Sequence, residues 1–149
     1  MKGINLSYVC YNNIGASETI ILSNGRTESI PKYFEVAYDL YFSDLKVNVC
    51  IMDHRGQGIS QRILKDQRKG HVDQFSYYVN DFIKFLDILK KEGPSNKSYI
   101  WAQSMGAGIA VRASQRRPDL VSGLFILSPL MGMYTKPLSN WVFIAWQLL

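Results

Sequence analysis

The sequence is poor in the groups that build metal and redox sites. Its 149 residues include two cysteines and two histidines, and none of the four sits in a CxxC or other metal-ligand spacing. No metal site is expected on that ground. Cys10 and Cys50 read as two free thiols in a reducing compartment, with Cys50 a small core residue inside an apolar strand pattern. No apolar run reaches the roughly 20 residues that span a bilayer. The start, Met1-Lys2-Gly3-Ile4-Asn5, lacks the apolar stretch of a secretory signal. The expected location is cytoplasmic, with peripheral contact at the inner membrane face left open. Charge is modest too. The 17 Lys and Arg against 12 Asp and Glu give +5, grouped locally at Lys65 to Lys69 and Arg112 to Arg117. No aromatics are interleaved there, which argues against nucleic acid and leaves a weak attraction to anionic lipid head groups. With 47% hydrophobic and 19% charged residues the chain is globular, with one core. There is no internal repeat and no low-complexity segment.

What is present is an alternation of two periodicities. Leu6 to Tyr11 alternates as a strand, and Thr19 to Ser23 is a continuous apolar run, as expected of a strand covered on both faces. Pro31 suits a first helical turn, and Phe34, Ala37, Tyr38, Tyr41 and Phe42 follow at helical spacing. Val47 to Met52 is the next strand. Asp73 is a candidate N-cap for a helix carrying Phe75, Val79, Phe82, Leu86 and Leu89, which Gly93-Pro94 stops. A strand over Ser98 to Ala102, a helix ending before Pro118, and an apolar strand over Val121 to Leu127 complete the series. Strands alternating with helices build a mostly parallel sheet with helices on both faces.

Three segments carry chemistry. Between a strand and a helix stands Ala102-Gln103-Ser104-Met105-Gly106, with small residues flanking a serine. In that context the pattern reads as a nucleophile elbow, in which a strained turn exposes the serine hydroxyl above the carboxyl edge of a parallel sheet. The plain alternative is a serine capping a helix. The second segment is Asn24-Gly25-Arg26-Thr27-Glu28, the loop leaving an earlier strand. An oxyanion hole in this architecture takes one backbone N–H from the residue after the nucleophile and one from such a loop, which selects Met105 and Arg26. The alternative is an ordinary Asn-Gly turn. The third is Asp53-His54-Arg55-Gly56-Gln57-Gly58, where glycines permit a sharp exit and Asp53 can bond neighbouring backbone or Arg55. His54 and His71 both precede Ser104, whereas the catalytic histidine of this architecture comes last in the chain, so both read as structural. After Ser104 there is no histidine, and Asp119 is the one carboxylate. It reads as a helix-to-strand turn residue.

These three segments, in register, resemble the monoacylglycerol lipase and lysophospholipase group of α/β-hydrolases, and bacterial lysophospholipases within it. The resemblance covers most of residues 19 to 133 and includes Lys32-Tyr33, Tyr38-Asp39-Leu40, Gly70-His71-Val72 and Ser128-Pro129-Leu130. It implies hydrolysis of a lipid ester, lysophospholipid or monoacylglycerol, by a serine nucleophile without a cofactor, and a cap beginning near Leu130. Ser104 would be the nucleophile, Arg26 and Met105 the oxyanion donors, and Gly25, Asp53 and Gly106 the structural support of the site. This chain departs from the group's pattern at Asn24 and Gln103, where histidine is common, and at Ala107, where glycine is.

The expectation is an incomplete α/β-hydrolase fold. Residues 1–129 would form the N-terminal part of the core and 130–149 the beginning of a cap, with the triad aspartate and histidine not in this chain. Trp141 to Leu149 reads as the start of an amphipathic or buried helix. The functional expectation is a serine carboxylic-ester hydrolase represented by its nucleophile half, the isolated chain being inactive. The alternative is a truncated, non-catalytic remnant, or a lipid- or partner-binding module. A structural or nucleic-acid-binding protein would require all three segments to be coincidence. Val121 to Leu127 would also be left as an apolar edge strand, a form that invites aggregation.

Overall fold

The computed structural model describes residues 3–94 and 97–132. In chain order, β1 is Tyr8–Tyr11 and β2 is Glu18–Ser23. A 3-10 turn over Ile30–Tyr33, with Pro31 where its missing N–H costs nothing, leads into α1, Phe34–Phe42. Then come β3 (Asn48–Met52), α2 (Phe75–Glu92), β4 (Lys97–Gln103), α3 (Met105–Arg116), a 3-10 turn over Pro118–Leu120, and β5 (Gly123–Leu127). The five strands form one sheet in the order β1-β3-β2-β4-β5. β1 runs antiparallel to β3, and every other pairing is parallel.

The central strands are apolar on both sides because both sides are covered. On one face Ile21, Cys50, Met52, Ile100 and Ala102 pack with Tyr78, Val79, Phe82, Leu86 and Leu89 of α2 and with Ile109, Ala110 and Ala113 of α3. On the other, Leu22, Val49 and Ile51 pack with Ile30 and Ala37 from the 3-10 turn and α1. The expected α2 stripe is the stripe that is buried. Truncating Phe82, which is fully buried, would cost about 3–5 kcal/mol. α2 ends at Gly93, whose N–H donates to the Leu89 carbonyl at 2.8 Å; a Cβ there would come within 2.2 Å of that oxygen.

Three local expectations are corrected. Cys10 and Cys50 are not free thiols: they form a disulfide, with Cα atoms 4.1 Å apart. Its physical origin is register, since antiparallel β1 places Cys10 directly opposite Cys50 on β3, and composition cannot show which strand lies opposite which. On α1 the helical spacing is right but most of the expected stripe faces outward. Phe34, Tyr38 and Phe42 are exposed, while Ala37 is buried and Val36 and Leu40 pack on the core. Asp73 is not the N-cap of α2. That position falls on Gln74, without a side-chain cap bond, and Asp73 faces His71 instead, 3.1 Å from its Nε2. The cap expected from residue 130 and the helix expected over Trp141 to Leu149 lie, apart from residues 130–132, outside the described residues.

Candidate active site

β4 ends at Gln103 and α3 begins at Met105, so Ser104 alone turns the chain from strand to helix. It does so at φ 51° and ψ −117°, a conformation L-residues seldom adopt and one that costs of order 1–3 kcal/mol unless neighbours enforce it. They do. The Ser104 N–H donates to the Leu127 carbonyl at 3.0 Å, and its carbonyl accepts the N–H groups of Ala107 at 3.1 Å, Gly108 at 3.3 Å and Leu130 at 3.0 Å. The Ser104 side chain makes no capping bond to the helix it precedes, which removes the helix-cap reading. Gly106 is small for a specific reason: a Cβ would come 2.2 Å from the Ser23 carbonyl oxygen and 2.5 Å from that of Asn24. The first turn of α3 therefore sits on the end of β2.

The loop after β2 is held against this elbow from three sides. Gln57 reaches across, its Oε1 accepting the Thr27 N–H at 2.8 Å and its Nε2 donating to the Gly25 carbonyl at 3.0 Å. The Asp53 carboxylate accepts the Ile30 N–H at 2.8 Å with one oxygen and the Ile59 N–H at 3.0 Å with the other. Gly58 must be glycine here, because at φ 49° its Cβ would lie 1.9 Å from the Asp53 carboxylate. Of the two partners open to Asp53 in the sequence, backbone is the one taken. Arg55 turns away to pair bidentately with Asp81 of α2 at 2.6 and 2.7 Å, in a nearly buried bridge, and stacks on the Tyr77 ring. The Asp81 bridge holds its guanidinium above its already high range. On the far side Glu28 Oε2 accepts the Gly25 N–H at 2.6 Å. The loop is thus no free Asn-Gly turn.

The result is a loop with one amide left over. Gly25 and Thr27 each have a side-chain acceptor, whereas the Arg26 N–H between them has none among the described residues. Met105, as first residue of α3, has an N–H with no intrahelical partner. A Cβ built on Gly25 would lie 3.4 Å from the Ser104 Cβ, so loop and elbow are in contact. The Arg26 side chain is engaged elsewhere, donating to the Gly70 carbonyl at 3.0 Å.

Neither histidine serves Ser104. His54 is fully buried between the Tyr78 and Phe82 rings, with Nε2 3.4 Å from the Ser23 hydroxyl, and burial pushes it down to about 4, so it is a neutral ring. His71 lies on the loop with its backbone against Gly56. Asp119 is in the turn before β5, gripped by Arg117 at 2.8 and 2.9 Å and by Lys90, which hold its carboxyl well below the usual range. Among the described residues no histidine or carboxylate is hydrogen-bonded to the Ser104 side chain. The roles of Gln57, Glu28, Tyr33 and Asp81 were not legible in the sequence. The one hint was their position within or after segments already singled out.

The serine aminopeptidase S33 family model matches residues 15–149. The chain belongs to that family of α/β-hydrolases. It is 40% identical over 117 residues to lysophospholipase L2 of Escherichia coli K12, covering 78% of this chain and 34% of that protein. It is 30% identical over 112 residues to mouse monoglyceride lipase, covering 75% and 35%. Among solved structures, a soluble variant of Saccharomyces cerevisiae monoglyceride lipase superposes with a TM-score of 0.71 at 22% identity, over 97% of this chain and 46% of that one. Est1E of Butyrivibrio proteoclasticus gives 0.71 at 19%, over 91% and 56%. These two likenesses establish the fold. The chain spans about a third of the length of the curated relatives it matches. It is an S33-family chain with the α/β-hydrolase fold and a mostly parallel sheet.

Proposed function

We propose that this S33 chain carries the nucleophile half of a serine carboxylic-ester hydrolase acting on a lysophospholipid or monoacylglycerol. The observation that carries the reading is Ser104, held at positive φ with its hydroxyl unused by the helix and in contact with the loop that presents the Arg26 N–H. In this reading Ser104 attacks the acyl carbonyl, and the Arg26 and Met105 N–H groups receive the oxyanion of the tetrahedral intermediate. Each such donor lowers the barrier by about 2.7–4 kcal/mol. Gly25, Gly106 and Asp53 hold the geometry: the first two allow close approach and the third ties the two loops together. A serine hydroxyl needs a base, and the group that would take its proton comes, in this reading, from polypeptide outside this sequence. The substrate class is supported by the names of the relatives, and the net charge of +5 suits a surface of anionic head groups. A cytoplasmic location loses the support of free thiols, since disulfides persist mainly in oxidising compartments. No helix among the described residues is long and apolar enough to cross a membrane.

The second reading, a non-catalytic remnant or a lipid- or partner-binding module, is favoured by one observation, that among the described residues no histidine or carboxylate is hydrogen-bonded to the Ser104 side chain. One experiment separates the two. The mass of the endogenous protein is measured, and lysophospholipid and monoacylglycerol hydrolysis is assayed in that protein and in its Ser104→Ala variant. A product larger than 17.0 kDa whose turnover falls at least 10³-fold in the variant supports the hydrolase. A 17.0 kDa product without turnover supports the remnant.

A further inference from the structure

Glu28 reaches beyond Gly25. The carboxylate oxygen that accepts the Gly25 N–H also accepts the Tyr33 hydroxyl at 2.6 Å, and the second oxygen pairs with the Lys32 ammonium. The Tyr33 hydroxyl in turn lies 3.2 Å from the side-chain amide of Gln103, the residue before Ser104. The phenol has one proton and Glu28 is its charged acceptor. An amide whose oxygen and nitrogen are interchangeable by a flip completes the series best with its NH2 toward the phenolic oxygen. A continuous line of polar contacts thus runs from the amide next to Arg26 to the residue next to Ser104. The loop end and the elbow follow neighbouring strands, β2 and β4, which pair up to Ser23 and Ala102. Beyond that pairing they meet at the Ser23–Gly106 bond and the Gly25–Ser104 contact, and the line adds a side-chain connection on the loop's outer side.

We propose that Glu28 and Tyr33 are positioning residues that set the Arg26 N–H relative to the Ser104 hydroxyl, with Gln103 closing the relay. The inference rests on the hydrolase reading above and goes beyond it by assigning the oxyanion loop its holder. Two features favour this over a merely local turn. The relay takes up the Gly25 amide while Gln57 takes up that of Thr27, so the amide between them is the one presented. The groups also keep their protonation states. Burial works against the Glu28 charge, but hydrogen bonds from Lys32, Tyr33 and the Gly25 N–H outweigh it and hold the carboxyl below its ordinary range. Burial, together with the Glu28 charge, pushes the Tyr33 phenol far up, so it remains a donor. Lys32 on the outer oxygen offsets a negative charge that would otherwise oppose an oxyanion nearby.

The test is made on the protein at its endogenous length and uses an alkylboronic acid, which adds to a serine oxygen and presents an anionic tetrahedral centre. Amide proton resonances are followed by NMR in wild type, Glu28→Ala, Glu28→Gln and Tyr33→Phe. In the wild-type adduct the Arg26 and Met105 resonances both move. In Glu28→Ala the Met105 shift persists and the Arg26 shift is lost, while Glu28→Gln, which keeps an acceptor oxygen, restores part of it. In Tyr33→Phe, the variant that leaves the loop sequence intact, Gly25 amide exchange rises at least tenfold and Thr27 exchange stays unchanged. Equal Arg26 shifts in wild type and Glu28→Ala, or unchanged Gly25 exchange in Tyr33→Phe, overturn the relay alone. No adduct in wild type, or one that survives Ser104→Ala, overturns the hydrolase reading and the relay with it.

Discussion

The two edges of this sheet are treated differently. β1, at one margin, is four residues long, covalently tied to β3 through Cys10–Cys50, and flanked by a second layer of backbone bonds. The Asp53 N–H donates to the Ser7 carbonyl and the Gln61 N–H to that of Asn5, both at 2.9 Å, and the Ser60 hydroxyl accepts the Ser7 N–H. Among the described residues β5, at the other margin, has none of this: Phe125, Ile126 and Leu127 are 58%, 38% and 49% exposed. A strand edge is a template for pairing unless it is short, tied or covered, so among the described residues one margin is finished and the other is open. The candidate site lies between them, and its scaffold comes from the finished side. The loops that clamp residues 24 to 30 leave β3, the strand to which β1 is tied. The open side contributes two backbone bonds, the Leu127 carbonyl that receives the Ser104 N–H and the Leu130 N–H that donates to the Ser104 carbonyl.

If the finished side carries the stability, the largest loss should come from the bridge that pins its loop to α2. Asp81→Ala leaves the Arg55 guanidinium nearly buried without its carboxylate and is expected to cost about 3–5 kcal/mol, read as a fall in the urea midpoint. Adding Arg55→Met should recover most of that, since an apolar pair of similar volume needs no partner. A loss below 1 kcal/mol in the single variant would mean the bridge is not part of the scaffold.

Next is the disulfide. It closes a loop of 40 residues, and reduction, or Cys10→Ala with Cys50→Ala, should lower stability by about 2–4 kcal/mol. Identical urea midpoints with and without reductant would show that hydrogen bonding alone finishes the β1 edge.

A smaller, pH-dependent loss is expected from His54. Its folded value of about 4 lies below the ordinary 6.5 because burial disfavours the charged ring, so the unfolded chain binds the proton first. The stability contribution is fully present above pH 6.5 and is lost as pH falls toward 4, with about 2 kcal/mol gone by pH 5. His54→Gln should flatten that limb of the stability curve, whatever its effect at neutral pH. An unchanged slope between pH 6.5 and 5 would place the titrating group elsewhere.

The sequence disclosed the fold well where burial is symmetric. β2, β3 and α2 are covered as their patterns imply, and the elbow, the Arg26 loop and the Asp53 loop lie together as expected. Pairing across strands was not legible. Nothing local to Cys10 tells that Cys50 stands opposite, because register is set by chain topology. α1 failed in another way: an apolar spacing fixes the helix but not which face meets the sheet, and here Ala37 faces in while Tyr38 and Phe42 face out. Asp73 shows a third cause, a capping residue drawn off by a histidine two positions away. At the site the strained turn at Ser104 was legible because backbone strain demands a recognisable neighbourhood. Glu28, Tyr33 and Gln57 act through hydrogen bonds that join separate segments, and such partners have no fixed spacing.

The smallest expected change in stability tests the open edge. Phe125→Lys places a charge on an exposed β5 position and should alter the urea midpoint by no more than about 0.5 kcal/mol. Its effect should appear in association instead. The 149-residue chain is expected to form concentration-dependent oligomers through the exposed strand in sedimentation velocity, and the variant to shift toward monomer, because charge on an edge opposes strand addition. Tyr8→Lys is the matched control, a half-exposed aromatic of the finished edge, and should leave the distribution as it was. A monomeric wild type, or a Tyr8→Lys variant that dissociates as readily as Phe125→Lys, would erase the contrast between the margins. The aggregation tendency would then have to come from another surface, the outward aromatic row of α1 being the next to mutate.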